Sequence, residues 1–272
     1  MTAAEDWRRQ LEAWAIPDEL LDRVDESPYG WSQELWKRRS ALARDRDQPP
    51  TTAIVEGLLP ASGTVLDIGI GRGRASLPLA VAGHRVIGVD ESLDMLGGLE
   101  EEAAGTGVEV EVHQGSWPDI AASLPSVDVV MAANVAYNVQ DIEAFIAAAL
   151  DHARTAVVLE VTDAHPWAHL APLYRQVHGL DRPAGPTADD LADVIREMTG
   201  RAPEAHRWER SGQIWFESWD ELIDHYGRRL VVPADERDRL RPILEPLVSI
   251  DAEGHLRVGD ELTGFTTLVM RT

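Results

Sequence analysis

Hydrophobic positions along the chain fall into two alternating rhythms. Short apolar runs of strand length begin near Gly63 and recur at His84–Val89, Val108–Val112, Val127–Ala132 and Thr155–Val161. Between them lie stretches with helical spacing: one reaching Ala82 and interrupted by Pro78, one at Ser92–Ala104, and one at Asp141–His152. Such alternation predicts a parallel sheet with helices on both faces. Gln48-Pro49-Pro50 marks a boundary, after which Thr51 or Thr52 is placed to cap a short helix through Leu59. Upstream, Trp7, Leu11 and Trp14 share one helical face, as do Trp31, Leu35 and Leu42, with Pro17 and Pro28-Tyr29-Gly30 between. Residues 1–50 therefore read as an N-terminal helical segment, either a lid over a ligand cleft or a brace on a main domain at 51–272. Beyond the fifth strand, Asp163–Leu180 reads as a broken helix. Thr187 opens a helix through Met198, with Asp190 in the capping-box position. A sixth strand follows near Ala205–Glu209. Amphipathic helices at Trp219–Arg229 and Asp235–Leu247 form a helical insertion at about 217–247. The chain closes with Leu256–Val258, a turn at Gly259-Asp260, and a strand at Thr263–Met270.

The densest candidate chemistry follows the first strand, at Val65-Leu66-Asp67-Ile68-Gly69-Ile70-Gly71-Arg72-Gly73-Arg74-Ala75-Ser76. Glycine is needed where φ is positive or where a ligand approaches the main chain closely. The dinucleotide fingerprint G-x-G-x-x-G fails, because its last position is Arg74 counted from Gly69 and Ser76 counted from Gly71. The pattern present is D-x-G-x-G-x-G, which resembles the first motif of the class I S-adenosylmethionine methyltransferases. That resemblance implies that Asp67 faces the methionine amino group and that Gly69, Gly71 and Gly73 pass under the cofactor.

The second strand ends in Val89-Asp90-Glu91-Ser92-Leu93-Asp94-Met95-Leu96. An acid there, about 20 residues past a glycine loop, is placed to accept ribose hydroxyl protons. Ser92 is then a helix N-cap. The wording D-x-S-x-x-M-L resembles the corresponding methyltransferase segment, which brings in Glu91 and sets Met95 against adenine. In Gln114-Gly115-Ser116-Trp117-Pro118 the resembling family usually places an acid after the glycine; here Ser116 stands in that position. Ser116, the Trp117 backbone or Asp119 is left to meet adenine, and the Trp117 ring suits stacking on adenine or filling core equally. The segment Asp128–Val139 resembles the fourth motif, with Asn134 under the cofactor's methyl-bearing end and Tyr137 and Asn138 facing an acceptor or packing. The N-P-P-Y pattern of amide methyltransferases is missing. His165 is the best-placed general base at the end of the fifth strand, with Tyr137 the second catalytic candidate. His165 and His169 also have the spacing of paired metal ligands, but Pro166 stands between them and no metal site is expected. Arg38 or Arg39 is placed to pair with the cofactor carboxylate.

Residues 63–162 thus resemble the class I methyltransferase core in order and spacing, and Glu160–Pro186 is similar to a group of uncharacterised bacterial methyltransferases. The resemblance implies an α/β Rossmann-like seven-stranded sheet of order 3-2-1-4-5-7-6, its last strand antiparallel. It also implies S-adenosylmethionine as cofactor and methyl transfer to the N, O or C atom of a small-molecule acceptor. A cofactor-binding protein without transfer, an aminopropyltransferase using decarboxylated S-adenosylmethionine, and a nicotinamide oxidoreductase are the competing classes; the failed fingerprint disfavours the last.

Composition narrows the partners. The 272 residues carry a formal charge of −22, which disfavours a phosphate-backbone partner. Cysteine is absent, so no disulfide or thiolate chemistry is available. No apolar run approaches the ~20 residues of a membrane helix, and the acidic start Met1–Trp7 has no apolar signal core, so a cytoplasmic monomer or homodimer is expected. Lys37 is the only lysine, a bias towards arginine typical of high-GC bacterial genomes.

Overall fold

A computed structural model describes residues 1–29, 35, 38, 48–211, 215–259 and 262–272. Of the predicted Trp31–Leu42 helical face, only Leu35 falls among these; Trp36 and Arg39 lie outside the described residues. Five strands run parallel: β1 (Thr64–Ile68), β2 (Arg85–Asp90), β3 (Glu111–Gln114), β4 (Val127–Ala133) and β5 (Ala153–Thr162). With β6 (Glu204–Ser211) and β10 (Leu262–Arg271) they form one sheet of order β3-β2-β1-β4-β5-β10-β6. The chain's last strand, β10, is antiparallel to both neighbours, so the expected order and its reversed strand are present. A small separate sheet joins β7 (Trp215–Phe216), β9 (Leu256–Val258) and β8 (Val248–Ile250). Among the described residues no helix is long and apolar enough to cross a membrane.

Period-two alternation splits the sheet's apolar residues between two layers. Leu66, Ile68, Val130, Ala132, Val157 and Leu159 face one core, shared with Trp7 of α1 (Ala3–Glu12), Phe145 of α6 (Ile142–His152) and Leu191 of α8 (Ala188–Thr199). Val65, Val129, Met131 and Val158 face the other, under α3 (Pro50–Leu58), α4 (Leu77–Val81) and α5 (Leu93–Thr106). Asp67 and Glu160 share this second face by register. A third cluster stands apart from the sheet. It unites Leu35, Leu173 and Tyr174 of α7 (Ala171–His178), Leu222 and Tyr226 of α9 (Trp219–Arg229), Leu244 of α10 (Arg241–Leu244), and Leu256. A single-turn helix, α2 (Asp18–Leu21), follows α1.

Four local expectations change. Thr51 and Thr52 do not cap α3, which begins with Pro50 in its first turn. Both threonines turn inward, Thr51 Oγ1 to Thr267 Oγ1 at 2.7 Å and Thr52 Oγ1 to the Ala75 carbonyl at 2.9 Å. Helix α4 starts only at Leu77, so Pro78 sits in its first turn and interrupts nothing. Strand β3 starts at Glu111, three residues later than its apolar run, because Val108 N–H still closes the end of α5 on the Ala103 carbonyl at 3.2 Å. The stretch Asp235–Leu247 is not one helix: 3₁₀ turns at Ala234–Leu240 and Glu245–Leu247 flank the four residues of α10, since Pro242 and Pro246 lack the N–H a continuous helix needs.

Candidate functional site

The carboxyl ends of β1, β2, β4 and β5 meet around the point where the chain order reverses, between β1 and β4, the place where open α/β sheets bind ligands. The glycine loop leaves β1 here. Gly69 and Ile70 N–H donate to the Val89 carbonyl at 2.8 and 3.0 Å, and Gly73 N–H to the Ile70 carbonyl at 2.9 Å. Gly69, Gly71 and Gly73 have φ of +66°, +54° and +78°, a region in which a side chain is strained. Their surroundings differ. A Cβ on Gly69 would meet Val135 at 2.5 Å, and one on Gly73 would meet Leu77 and Leu99 at 2.6 Å. A Cβ on Gly71 would meet nothing within 4 Å. Two glycines therefore serve packing, and the middle one leaves the main chain open to close approach.

Asp90 anchors this loop. Its Oδ2 accepts from Gly71 N–H and its Oδ1 from Ser92 N–H, both at 2.9 Å, so each oxygen keeps a second acceptor position. Ser92 caps α5 by accepting from Met95 N–H at 3.3 Å, which holds half-buried Met95 in the first turn beside the rim. Ser116 Oγ donates to Glu91 Oε1 at 2.6 Å, joining the ends of β2 and β3. Trp117 does not join them. Its ring is 8% exposed in the core, with Nε1–H donating to the Phe145 carbonyl at 3.2 Å and its face edge-on to His152. Of its two sequence roles, the ring fills the core and leaves Ser116 and Glu91 as the side chains at that end.

At the β4 and β5 ends lies a buried polar cluster. Asn134, at φ +61°, donates its backbone N–H to the Glu160 carbonyl at 2.8 Å and its Nδ2–H to Glu160 Oε1 at 3.0 Å. The same Oε1 is ion-paired to Arg74 Nη2, and Glu160 is fully buried. Asp67 is buried close by, and burial pushes its carboxyl up to about 7. Ser76 and the Arg74 charge oppose that rise, while Glu160 and Asp90 add to it. Asp67 Oδ1, Glu160 Oε2, Arg74 Nη1 and Ser76 Oγ have no hydrogen-bond partner among the described residues. Sequence reasoning gave Arg74 and Glu160 no role. The available signal was a lone acid in the apolar run Val157-Val158-Leu159-Glu160-Val161, since a charge in a buried strand demands a partner.

The two catalytic candidates are set elsewhere, in an aromatic stack with α1. Tyr137 lies on Trp7, ring centroids 5.8 Å apart, and donates its hydroxyl to the Thr162 carbonyl. Burial raises its pKa further above the tyrosine range. His165 stacks on Trp14 at 4.3 Å with Tyr137 edge-on, and its Nδ1 accepts from Trp167 N–H at 3.2 Å. Burial, and then His169, bring its pKa down to about 4. A general base needs a free lone pair and matched basicity; His165 has its lone pair engaged and its basicity lowered. The Nε1–H groups of Trp7 and Trp14 donate to the Val139 and Gly185 carbonyls at 3.0 and 2.8 Å, locking α1 over α6 and α8. The Tyr137 hydroxyl and His165 Nδ1 are thus both engaged by main-chain groups in this structure. The Arg38 guanidinium is engaged by Glu221 at 3.0 Å and by the Trp215 ring and carbonyl.

Comparison with known proteins agrees with this geometry. A family model described as a methyltransferase domain matches residues 65–156. A ubiquinone biosynthesis O-methyltransferase of Azorhizobium caulinodans is 36% identical over 82 residues, 30% of this chain and 32% of that protein. The protein of the same description from Sinorhizobium medicae is 33% identical over 114 residues, 40% of this chain and 44% of its own. The chain thus matches less than half the length of these curated relatives. A provisionally assigned methyltransferase of Bacillus halodurans C-125 shares the fold, with a TM-score of 0.55 over 81% of this chain and 97% of its own at 14% identity.

Proposed function

We propose that the protein transfers a methyl group from S-adenosylmethionine to a small-molecule acceptor, a reading supported by the match of residues 65–156 to a methyltransferase domain and by the strand order of the sheet. The observation that carries this reading is the Asp90 carboxylate, held by Gly71 and Ser92 N–H directly beside the one loop glycine that opens onto free space. A ribose diol fits the remaining acceptor positions of Asp90, and the open Gly71 admits a ligand against the main chain. Glu91, Met95 and Ser116 then stand at the adenine end. Asp67 and Asn134 stand at the amino-acid end, where the orphaned buried oxygens of Asp67 and Glu160 suit a cationic group.

Bound there, S-adenosylmethionine supplies an electrophilic sulfonium methyl group. The chain's own contribution is alignment and exclusion of water. Two fixed ends, Asp90 and the Asp67–Asn134 side, set the cofactor's direction along the rim. The stacked Trp7, Tyr137, Trp14 and His165 close the flank of β4 and β5 under α1. Calorimetry with S-adenosylhomocysteine tests the reading. The wild type is expected to bind one equivalent, and Asp90→Ala to weaken it roughly 10- to 150-fold, the worth of one hydrogen bond to a charged acceptor. Binding of NADH with no affinity for S-adenosylhomocysteine contradicts it.

A further inference from the structure

We propose that Arg74 is the chain's reader of the cofactor's carboxylate, and that Glu160 and Asn134 are the residues that aim it, so that the site selects the full amino-acid end of the cofactor over its decarboxylated form. The proposal rests on the cofactor reading above and goes beyond it by assigning the third position after Gly71, which the failed dinucleotide fingerprint left as an arginine where a glycine is usual.

The argument is geometric. Asp90 lies at the end of β2, with Glu91 and Ser116 joined on its β3 side. A cofactor with its ribose at Asp90 and adenine towards Ser116 must run its other end across β1 towards β4 and β5. Arg74 is the basic side chain the glycine loop delivers there, and it reaches Glu160 on β5. Its side chain is 30% exposed while Glu160 is fully buried, so the pair has one end in the core and one at the rim. Nη2 is engaged by Glu160, and Nη1 has no partner among the described residues. Glu160 Oε1 also takes Asn134 Nδ2–H, and the backbones of Asn134 and Glu160 are bonded, so the carboxylate that holds the guanidinium is itself fixed. A planar guanidinium held on one edge presents its remaining donors in a set direction, the arrangement suited to a carboxylate. The cluster also has the opposite charge available: among the described residues Glu160 Oε2 is a buried acceptor without a partner, and the buried Asp67 carboxyl has only the nearby Ser76 hydroxyl to favour its charge besides Arg74. One cation and two acids with unmatched atoms form a receptor for a zwitterion, not for a lone amine. A lone amine leaves Arg74 Nη1 unmatched, and a buried donor without a partner is costly.

The test compares two ligands that differ only in this group, S-adenosylhomocysteine and its decarboxylated counterpart, S-adenosyl-3-thiopropylamine. By calorimetry the wild type should prefer the first by roughly 10- to 150-fold, the range for one charge-assisted hydrogen bond. Arg74→Gln leaves Glu160 buried and unpaired, which threatens folding. The double variant Arg74→Gln/Glu160→Gln removes both charges together and keeps an amide pair. In it the preference should collapse to within about threefold: both ligands lose the Glu160 charge beside their amino group, but only S-adenosylhomocysteine also loses the Arg74 partner of its carboxylate. Glu160→Gln alone should reduce the preference partially, since it loosens Arg74 without removing it. A wild type that binds both ligands equally, or a double variant that keeps the full preference, overturns the assignment of Arg74 and leaves the cofactor reading standing. A wild type that binds neither ligand overturns the cofactor reading, and this proposal with it.

Discussion

The two flanks of the sheet's carboxyl edge are built from different materials. Over β1 and β2 the surface is backbone and one carboxylate: three glycines at positive φ, and Asp90 taking two N–H donors. Beside β4 and β5, where α1 crosses, the surface is aromatic: Trp7, Tyr137, Trp14 and His165 stack in a chain of ring contacts, with the two indole N–H groups, the tyrosine hydroxyl and His165 Nδ1 matched to main-chain groups. The first flank keeps free acceptor positions on Asp90 and open space at Gly71; the aromatic rings of the second are largely engaged with one another and with main chain. Histidine and tyrosine suggest catalysis when read as letters. Here stacking and burial have drawn their polarity inward, and the open main chain at Gly71 is the part left free to meet a ligand.

Breaking the second flank should show its character most strongly. Trp7 is fully buried, and Trp7→Ala should lower unfolding stability by about 3–5 kcal/mol, the cost of deleting a buried indole. Tyr137→Phe removes one buried hydrogen bond and should cost about 1 kcal/mol. Denaturant unfolding measures both. In each variant that remains folded, affinity for S-adenosylhomocysteine should stay near wild type. A large loss of affinity with normal stability would make the aromatic flank part of the ligand site after all.

A smaller effect sharpens the first flank through pH. Burial raises the Asp67 carboxyl from 3.8 to about 7, so the folded protein holds this proton where the unfolded chain releases it. The consequence for stability is a loss as pH rises from about 4 to about 7. The consequence for a ligand bearing an ammonium group is the reverse: the ligand favours the ionised acid, so affinity should rise with pH up to about 7 and then level off. Titrations with S-adenosylhomocysteine between pH 5.5 and 8 measure it. Asp67→Asn should flatten the profile, and a profile equally steep in that variant would remove Asp67 from the site.

The same contrast explains what was legible in the sequence. The alternation of strands and helices and the placement of Gly69, Gly71, Gly73 and Asp90 could be read because strand periodicity, turn glycines and an acid at a strand end are local patterns, whereas the order of the seven strands came only from the family resemblance that those patterns carry. Three kinds of feature were not local. The role of Trp117 and His165 depended on what packs over them, which comes from Phe145 and from Trp14, distant in the chain. The pairing of Arg74 with Glu160 spans 86 residues and is set by the β1–β4–β5 order. The small sheet of β7, β8 and β9 has strands of two or three residues, too short for alternation to register, and it is held by the third apolar cluster. Prolines were informative only by exact place: Pro50 and Pro78 begin helices, whereas Pro242 and Pro246 divide one.

The most direct test of the difference between the flanks is amide hydrogen exchange with and without saturating S-adenosylhomocysteine. The account predicts strong added protection at residues 69–73 and 90–96, lesser protection at 114–116, and unchanged exchange along α1, which is already fixed to α6 and α8. Unchanged exchange in the glycine loop, or protection concentrated in α1 and around His165, would contradict it.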